Sequence, residues 1–334
     1  MKIAIHHHPG SFSDHWIEYC KEKSIDHKIV NAYNSDIIQQ VSDCDAFMWH
    51  HHHADPKDVL FAKQLLYSLE ESGKRVFPDW HTCWHFDDKV GQKYLLEAIG
   101  APLVPSYVFY TKKEALDWIK STTFPKVFKL RGGAGAANVK LARTAREAKS
   151  LVNKSFGKGF PQFNRFGYLK ERYRKWREGK DSFVGVLKGI GRIFIVTDFA
   201  RMHPKEKGYA YFQEFIPNNS FDTRVVVVSA QKAMVERRYV REGDFRASGS
   251  GKFEYVEADP AVLRIAFDVA NKLKLQTVAF DFIYEKETPL IVEMSYGFGT
   301  HGISHCGGYY TEDLQWHEES EPNFYGWMVE NLIC

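Results

Sequence analysis

Apolar and polar positions in residues 1–88 switch repeatedly between strand-like and helix-like spacing. Short apolar runs predict strands at 2–6, 28–32, 46–49 and 74–77. Apolar positions at helical intervals predict helices at about 14–23 and 56–72, the second ending at Gly73. This alternation predicts an open parallel sheet, whose ligands bind beyond the carboxyl ends of its strands.

The pattern changes after residue 88, where strands follow one another more closely. Helices are predicted at about 88–99, 112–120 and 260–273, the last with a clear apolar stripe. Strands are predicted at 104–110, on both sides of a glycine-rich loop within 124–141, at 222–229 and 233–240, and on both sides of a turn at 285–289, while 209–217 resumes the core. The chain therefore combines a parallel α/β part with an α+β part.

The hairpin around 285–289 carries the most informative polar pair. Asp281 and Glu293 lie equally far from the turn, so antiparallel pairing places them opposite or nearly opposite each other. Alternation puts Asp281 on one face and Phe280, Phe282 and Tyr284 on the other. Two half-buried carboxylates repel unless a positive group lies between them, and Mg²⁺ suits such a pair. The alternative is two unrelated acids on a solvent-facing edge.

Composition narrows the class of protein. The 334 residues are 44% hydrophobic, enough for a substantial core, and the net charge of +3 does not indicate nucleic-acid binding. Five scattered cysteines without a CxxC motif favour reduced thiols and a cytoplasmic location. Neither a signal peptide nor a transmembrane segment is expected from the apolar pattern.

Histidines cluster after three of the predicted N-terminal strands. The groups are 6–8, 50–53 and the pair His81 and His85. Side chains at one rim of a parallel sheet could bind a transition metal or line an acceptor pocket. None of the spacings is diagnostic of zinc. The third interpretation is that these histidines lie in solvated loops.

A glycine-rich segment follows the strand at 124–130. Gly132, Gly133 and Gly135 would let backbone amides approach a phosphate closely, next to Lys129. The spacing is not that of a Walker loop, so a purely structural turn is the alternative.

Residues 156–208 differ from their surroundings. A loop-like glycine and phenylalanine stretch leads into a basic helix with interleaved aromatics. One interpretation is an insertion whose aromatics pack on the main body. The other is an arm that meets an anionic polymer or a headgroup-bearing substrate.

The order of these elements resembles the ATP-grasp superfamily, specifically its glutathione-synthetase/RimK-like branch of carboxylate–amine ligases. The resemblance covers roughly Phe77 to Gly299 apart from the insertion. It implies an ATP-grasp fold behind an N-terminal parallel α/β domain. The implied segments are a pre-ATP-grasp domain at 1–88, a central subdomain at 89–208 that contains the insertion, and a C-terminal subdomain at 209–334.

The resemblance also implies roles for individual residues. Those matching the nucleotide-binding positions are Lys89, Lys129, Gly132, Gly133, Gly135, Gln213, Glu214, Phe215, Ile216 and Asp222. Arg246 and one of Arg237 and Arg238 match arginines that face the transferred phosphate. Asp281, Glu293 and Ser295 match the metal ligands, and the acceptor candidates are His7, His51, His81, Arg224 and Tyr296.

Two departures from the branch concern the acceptor side. Ser295 stands where an asparagine is usual, and a serine hydroxyl is a shorter and weaker ligand, which puts a second metal in doubt. The usual Ser-Pro-Gly is replaced by Tyr296-Gly-Phe-Gly-Thr. We therefore expect an acceptor site unlike that of the familiar members.

The expected activity is an ATP- and Mg²⁺-dependent ligation through an acyl phosphate, with Mn²⁺ as a substitute metal. Its partners would be a small carboxylate and an amine, or a peptide or uronic-acid-bearing glycan acceptor. No specific nucleic acid is expected, and a homodimer is left open. A kinase that stops at phosphoryl transfer and a non-catalytic ATP-binding module are the alternatives.

Overall fold

A computed structural model of the chain describes residues 1–133, 138–161, 182–194 and 204–333, with positions 169, 172–174 and 176–177. Gly135 and much of the 156–208 segment lie outside these residues. The chain divides into two compact units. The first comprises 1–53, 57–104 and 216–334, and the second comprises 54–56 and 105–215. The predicted division at 88 and 208 stays a prediction.

The first unit contains the predicted parallel sheet. Its strands are β1 (Ile3–His6), β2 (His27–Val30), β3 (Ala46–Met48) and β4 (Arg75–Phe77). They pair in the order β2-β1-β3-β4, all parallel. The associated helices are Phe12–Glu22, Ile37–Gln40, Pro56–Glu71, Trp80–Cys83 and Lys89–Ala98.

The same unit also contains an antiparallel sheet. Its strands are β9 (Phe221–Val228), β10 (Lys232–Tyr239), β11 (Phe253–Glu254), β12 (Thr277–Glu285), β13 (Thr288–Ser295), β14 (Gly308–Thr311) and β15 (Trp316–Glu318). The order is β13-β12-β9-β10-β14-β15, and β11 also pairs with β10. Helices Pro260–Leu273 and Phe324–Ile333 and a 3₁₀ turn at Ile303–His305 complete this part.

The two faces of this antiparallel sheet are buried in different cores. Val225, Val227, Phe280 and Phe282 pack with the apolar stripe of helix Pro260–Leu273. Val226, Val228, Met234 and Ala279 on the opposite face pack with the parallel sheet and the helices at 12–22 and 324–333. Asp281 and Arg224 continue this second face beyond its apolar part, so the sheet itself places charged side chains at the edge of a rigid core.

The second unit is built on another antiparallel sheet. Its strands are β5 (Ser106–Phe109), β6 (Lys126–Lys129), β7 (Val139–Ala142) and β8 (Ala210–Glu214), in the order β5-β8-β6-β7. Helices Lys112–Ser121 and Ala145–Ser155 cover it through Ala115, Ile119, Ala148 and Val152. The helix at Phe183–Phe194 belongs to the predicted insertion.

The predicted fold class is confirmed: the chain contains a parallel α/β sheet as well as antiparallel sheets with helices. Helix Pro260–Leu273 has the predicted bounds, begins at an Asp259 cap and ends at Lys274 in a left-handed conformation. No helix among the described residues is both long and apolar enough to cross a bilayer. Cys20, Cys44, Cys83 and Cys306 are buried free thiols, whereas Cys334 lies outside the described residues.

Candidate active site

The antiparallel sheet carries a row of charged side chains on one face. Its register aligns Glu293 on β13 with Asp281 on β12, Asp281 with Arg224 on β9, and Arg224 with Glu236 on β10. Directly opposed residues project to the same side of an antiparallel sheet. The hairpin prediction that Asp281 faces Glu293 is thereby confirmed, with a register shift just after Asp281.

Two arginines donate hydrogen bonds to the carboxylate of Asp281. Arg224 donates from Nε to Oδ1 at 2.8 Å and from Nη2 to Oδ2 at 3.1 Å. Arg238 donates from Nη2 to Oδ2 of Asp281 at 2.7 Å. Its Nε and Nη2 also donate to the two carboxylate oxygens of Asp222, both at 2.7 Å. Arg238 therefore joins two carboxylates. We call Asp222, Arg224, Glu236, Arg238, Asp281 and Glu293 the charged face.

Burial and mutual charge act in opposite directions within this network. Burial raises the pKa of the Asp281 carboxyl, but Arg224 and Arg238 outweigh it and hold that pKa below the usual range. Burial dominates at Asp222, whose pKa is raised although Arg238 favours its ionised form. Burial lowers the pKa of Arg238, and the attraction of Asp281 and Asp222 more than reverses that shift. Asp281 is thus held as a carboxylate.

Glu293 has its own cation in Lys89. Asp88 caps helix Lys89–Ala98 by accepting from the Gly91 amide, which places Lys89 in the first turn. The Lys89 Nζ lies 2.9 Å from the Glu293 Oε1, with Lys89 5% and Glu293 33% exposed. Burial lowers the pKa of Lys89, but the attraction of Glu293, Asp87 and Asp88 outweighs burial and raises it. Lys89, predicted at the nucleotide, is therefore charged and beside a predicted metal ligand.

Strand alternation separates Arg237 from Arg238. Arg237 stacks its guanidinium 4.6 Å from the centre of the Phe221 ring and lies 3.7 Å from Glu254. It points away from the charged face, whereas Arg238 is part of that face. Arg238, and not Arg237, therefore lies with Asp222 and Asp281 on the charged face.

Glu236 is a member of the charged face that the sequence analysis missed. It is 2% exposed, and its Oε2 has no hydrogen-bond partner among the described residues. Burial raises its pKa to about 7, against the opposing influence of Arg224 and Arg238. The alternation of Glu236 with Arg238 along one strand was the signal in the sequence that could have identified it.

The loop after β13 lies directly against Glu236. A Cβ at Gly302 would lie 1.9 Å from the Glu236 Oε2 and 2.7 Å from the Phe253 ring. The Tyr255 hydroxyl donates to the Gly302 carbonyl at 2.6 Å. Position 302 thus requires glycine because the buried acid occupies the space of a side chain.

Arg246 and Ser295 both have local partners. The Arg246 guanidinium forms a bidentate pair with Asp244, with Nε 2.9 Å from each carboxylate oxygen, inside the loop between β10 and β11. The Ser295 hydroxyl donates to the Gly297 carbonyl at 2.6 Å. These partners lie outside the charged face, so the predicted roles of Arg246 and Ser295 stay predictions.

Four of the histidines are buried or stacked against other residues, and the interpretation of an acceptor pocket stays a prediction. His6, His51 and His85 are buried, and His50 stacks on Phe12 with ring centres 3.7 Å apart. Burial lowers the pKa of His50 and of His85 to about 3. Among the described residues, no three His, Cys, Asp or Glu side chains are grouped to hold a metal. Solvated loops are therefore wrong for these four, which pack against other residues.

The acceptor candidates are dispersed. The Tyr296 hydroxyl donates to the His51 carbonyl at 2.5 Å, and both residues are buried. His7 lies 2.7 Å from Asp14, and His81 is exposed on the short helix after β4. Arg224 alone of these candidates belongs to the charged face. His53, which was not singled out, is influenced by both Lys89 and Glu293, although burial is the main cause that lowers its pKa to about 4.

The predicted nucleotide residues of the second unit converge on one sheet. Lys129 ends β6, pairs in register with Tyr211 of β8 and is 5% exposed. At the start of the glycine segment, the Asn138 amide donates to the Gly132 carbonyl at 3.3 Å. Gly133 has a φ of +106°, and its Cβ would lie 2.4 Å from the same amide. A side chain is excluded at Gly133 on both grounds.

We call residues 213–216, which were predicted to bind the nucleotide, the hinge, and an ion pair between Glu214 and the buried Lys126 holds it. Lys126, 2% exposed, donates from Nζ to both oxygens of Glu214 at 2.6 Å, and the Tyr107 hydroxyl donates to Glu214 at 3.1 Å. The Gln213 amide donates to the Ser106 hydroxyl at 3.0 Å. Phe215 follows in the second unit, and Ile216 begins the last segment of the first. Lys126 is a further residue that was not identified from sequence.

The donor set fits a nucleotide-bound Mg²⁺ better than a resident metal. Mg²⁺ takes oxygen ligands and usually needs only one or two carboxylates beside phosphate oxygens and water. Asp281 and Glu293 supply two carboxylates on one face. They are already paired with Arg224, Arg238 and Lys89, which offsets their charge without any metal.

Sequence comparison places part of the chain in a known family. Residues 205–311 match the RimK-like ATP-grasp domain. A segment of 114 residues is 28% identical to the probable alpha-L-glutamate ligase of Legionella pneumophila strain Corby. That segment spans 33% of this chain and 36% of the relative, so about a third of each protein is compared.

Solved structures extend the likeness to the whole fold. An ATP-grasp RimK domain protein from Sphaerobacter thermophilus aligns with a TM-score of 0.60 at 14% identity, covering 99% of this chain and 98% of that one. The D-alanine–D-alanine ligase of Bacillus anthracis complexed with ATP aligns at 0.52 and 12% identity, covering 89% and 86%. At these identities the structures show the fold alone. Residues 205–311 are thus similar to the RimK-like ATP-grasp domain, and the chain as a whole has the ATP-grasp fold.

Proposed function

We propose that this protein is an ATP- and Mg²⁺-dependent ligase that joins a carboxylate to an amine. The observation that carries the proposal is the charged face, where Arg224 and Arg238 interleave with Asp222 and Asp281 and Lys89 pairs with Glu293. Such preorganised charges are what phosphoryl transfer needs, because they neutralise negative charge without reorganisation during the reaction.

The chemistry proceeds in two balanced steps. A substrate carboxylate oxygen attacks the γ-phosphorus of ATP, the bond to the β,γ-bridging oxygen breaks, and ADP leaves with that electron pair. The acyl phosphate then reacts with an amine, phosphate leaves, and the amine loses a proton. Phosphorylation is required because an unmodified carboxylate would have to expel oxide.

Each part of the chain has a role in this proposal. Lys129, Gly132, Gly133, Gly135 and the hinge 213–216 bind the nucleotide, with Lys126 holding Glu214 in place. Asp281 and Glu293, with Ser295 as a weaker third ligand, hold Mg²⁺, which would supply charge neutralisation at the phosphate oxygens. Arg238 and Arg246 act on the transferred phosphate, and Arg224 neutralises the carboxylate cluster. The glycine segment would exclude water from the acyl phosphate.

The substrate class follows from the relatives rather than from the charged face. The Legionella relative is named a glutamate ligase, so glutamate is the first compound to test, both as acid and as amine. Other amino acids, peptides and uronic-acid-bearing glycans are the remaining acceptors to test.

The test measures ADP release with Mg-ATP against a panel of carboxylic acids, each with and without amines. We expect ADP only when both substrates are present, together with a product lighter by one water than their sum. A phosphorylated acid that accumulates without an amine would instead indicate a kinase. ATP binding without turnover by any acid and amine would favour a regulatory module.

Glu293→Gln tests the metal assignment in the same assay. Loss of the negative oxygen that would face Mg²⁺ should lower turnover by about 100-fold or more. Because Glu293 also pairs with the buried Lys89, unfolding in urea is measured beside turnover, so that activity is compared only where the variant is folded. Glu254→Gln is the matched control, because Glu254 is on the same sheet but pairs with Arg237 on the opposite side. Near-normal turnover of Glu293→Gln would remove the metal role.

A further inference from the structure

Four large apolar side chains of the helix Phe183–Phe194 are exposed to solvent. Phe183, Val184, Leu187 and Ile190 are each between 42% and 56% exposed. Their spacing places them on one side of the helix, within about a third of its circumference. Soluble helices normally turn such a stripe towards the core.

Three smaller residues of this helix, Gly185, Val186 and Gly189, are buried. A Cβ at Gly189 would lie 3.0 Å from the Leu169 side chain, so the helix packs closely against the preceding helical positions. The large residues therefore remain outside because the glycines make the packing contact.

Two more aromatic residues extend the stripe. Tyr173 and Trp176 are 49% and 39% exposed. The Tyr173 and Trp176 rings lie 5.7 Å apart, and the Trp176 and Phe183 rings 5.5 Å apart. We call Tyr173, Trp176, Phe183, Val184, Leu187 and Ile190 the apolar stripe. It is a continuous exposed surface, and surfaces of this kind are sites of interaction.

Positive charge is concentrated in the same segment. Residues 156–208 contain 13 Lys and Arg against five Asp and Glu, a surplus of eight, whereas the whole chain has a net charge of +3. The remainder of the chain is therefore net negative. Arg177 and Lys188 are exposed next to members of the apolar stripe. The segment thus combines an apolar strip with cations at its borders.

We propose that the apolar stripe docks the protein on the surface of an anionic lipid bilayer. Helices that lie in the membrane interface combine an apolar face containing Trp, Phe and Leu with Lys and Arg at its borders. At about 1.5 Å per residue, a twelve-residue helix is too short to span the roughly 30 Å hydrocarbon core, so it lies in the plane of the surface. The inference stands apart from the ligase activity.

Charge and chemistry favour lipid over the other occupants. A second copy would bring two positively charged segments together, which is repulsive. Single-stranded nucleic acid is bound by basic grooves with stacking aromatics, and the aliphatic Val184, Leu187 and Ile190 have no role in stacking.

The test is cosedimentation of the full chain with vesicles. We expect binding to vesicles in which about a third of the lipid is phosphatidylglycerol, and at least about ten-fold weaker binding to phosphatidylcholine alone, since each cation near an anionic surface contributes about five-fold. Raising the salt from about 0.05 M to 0.5 M should weaken the binding.

Variants distinguish the stripe from general charge attraction. Leu187→Ser with Trp176→Ser should weaken binding by about ten-fold or more, because apolar area no longer enters the interface. Arg177→Glu with Lys188→Glu should do the same by charge. Leu60→Ser and Trp80→Ser are controls, being 68% and 40% exposed outside the segment. Both double variants and both single-substitution controls should have the same midpoint of urea unfolding as the parent.

Three outcomes would overturn the proposal. They are absence of binding to the anionic vesicles, equal binding by the stripe variants and the parent, and a stripe variant that only converts a dimer to a monomer in sedimentation velocity. ADP release is measured in parallel without vesicles, so loss of membrane binding and loss of ligase activity are read separately.

Discussion

Arg238 is the residue on which the charged face depends most. Its guanidinium contacts Asp222 and Asp281, and all three side chains are largely buried. Its removal would leave Asp222 without its cation and Asp281 with Arg224 alone, in a site that water hardly reaches.

Arg238→Ala should therefore destabilise the protein by about 3–5 kcal/mol, the usual cost of leaving a buried charge unpaired. Arg237→Ala is the matched control, because it removes a half-exposed guanidinium from the neighbouring position and should cost only about 0–1 kcal/mol. Urea unfolding of both variants at neutral pH measures the difference. Equal free energies of unfolding would show that the ion pairs of Arg238 contribute no more than surface contacts.

Glu236 should make the stability of the protein depend on pH. Its pKa is raised from 4.5 to about 7 by burial, so the folded state binds its proton more tightly than the unfolded chain. Folding is favoured by this group below pH 4.5, and that contribution is lost as pH rises towards 7.

Glu236→Gln removes this dependence while keeping the shape of the side chain. The free energy of unfolding of the variant relative to the parent should therefore increase by roughly 3 kcal/mol between pH 4.5 and 7 and stay constant above pH 7. Urea unfolding at several pH values gives this difference directly. A difference that is independent of pH would mean that Glu236 is ionised throughout this range.

At the scale of elements, the loop that follows β13 is shaped by what lies under it. Gly302 lies against Glu236 and Phe253, and Tyr255 bonds to its carbonyl. The loop begins with the segment Tyr296-Gly-Phe-Gly-Thr, which the sequence analysis predicted to lie on the acceptor side.

Gly302→Ala should destabilise the protein by about 1–3 kcal/mol, because the added methyl group overlaps the buried acid. Gly299→Ala is a close control in the same loop, since nothing lies within 4 Å of its Cβ position, and its effect should stay within about 0.5 kcal/mol. Thermal unfolding of the two variants in the same buffer compares them. If Gly302→Ala matched Gly299→Ala, the loop would not be held against Glu236.

For the molecule as a whole, the proposed activity requires that the folded chain bind nucleotide. A ligand present at 100 times its dissociation constant stabilises the folded state by about 2.7 kcal/mol, which raises the melting temperature. Lys129 lies in the second unit on a strand beside the predicted hinge.

Lys129→Ala should therefore abolish most of the rise in melting temperature that Mg-ATP produces, because a phosphate contact is lost. Lys140→Ala on the adjacent strand is the control, since the Lys140 ammonium lies 5.0 Å from the Phe160 ring, and it should retain the full rise. Differential scanning fluorimetry across ATP concentrations gives both values. An unchanged rise for Lys129→Ala would leave Lys129 a structural role only.

Local sequence patterns predicted the main strands and several of the helices before residue 300, and the resemblance to ATP-grasp proteins implied the fold, which is confirmed. Asp281 faces Glu293 because alternation and a short turn determine the register of one hairpin. Helix 260–273 was equally predictable, because its cap, apolar stripe and end all lie within the segment.

Long-range pairing decided the rest. Whether Arg224, Glu236 and Arg238 meet Asp281 depends on the pairing of β9 with both β10 and β12, which no local pattern determines. The contact of Lys89 with Glu293 and the burial of the histidines likewise arise from segments distant in the chain. The sequence by itself determined the elements whose periodicity is local, such as helix 260–273 and the hairpin around 285–289, whereas the strands at 308–311 and 316–318 and the helix at 324–333 were not predicted. Only the tertiary structure decided which charges neutralise one another, because burial and cross-strand contact are properties of the assembled sheet.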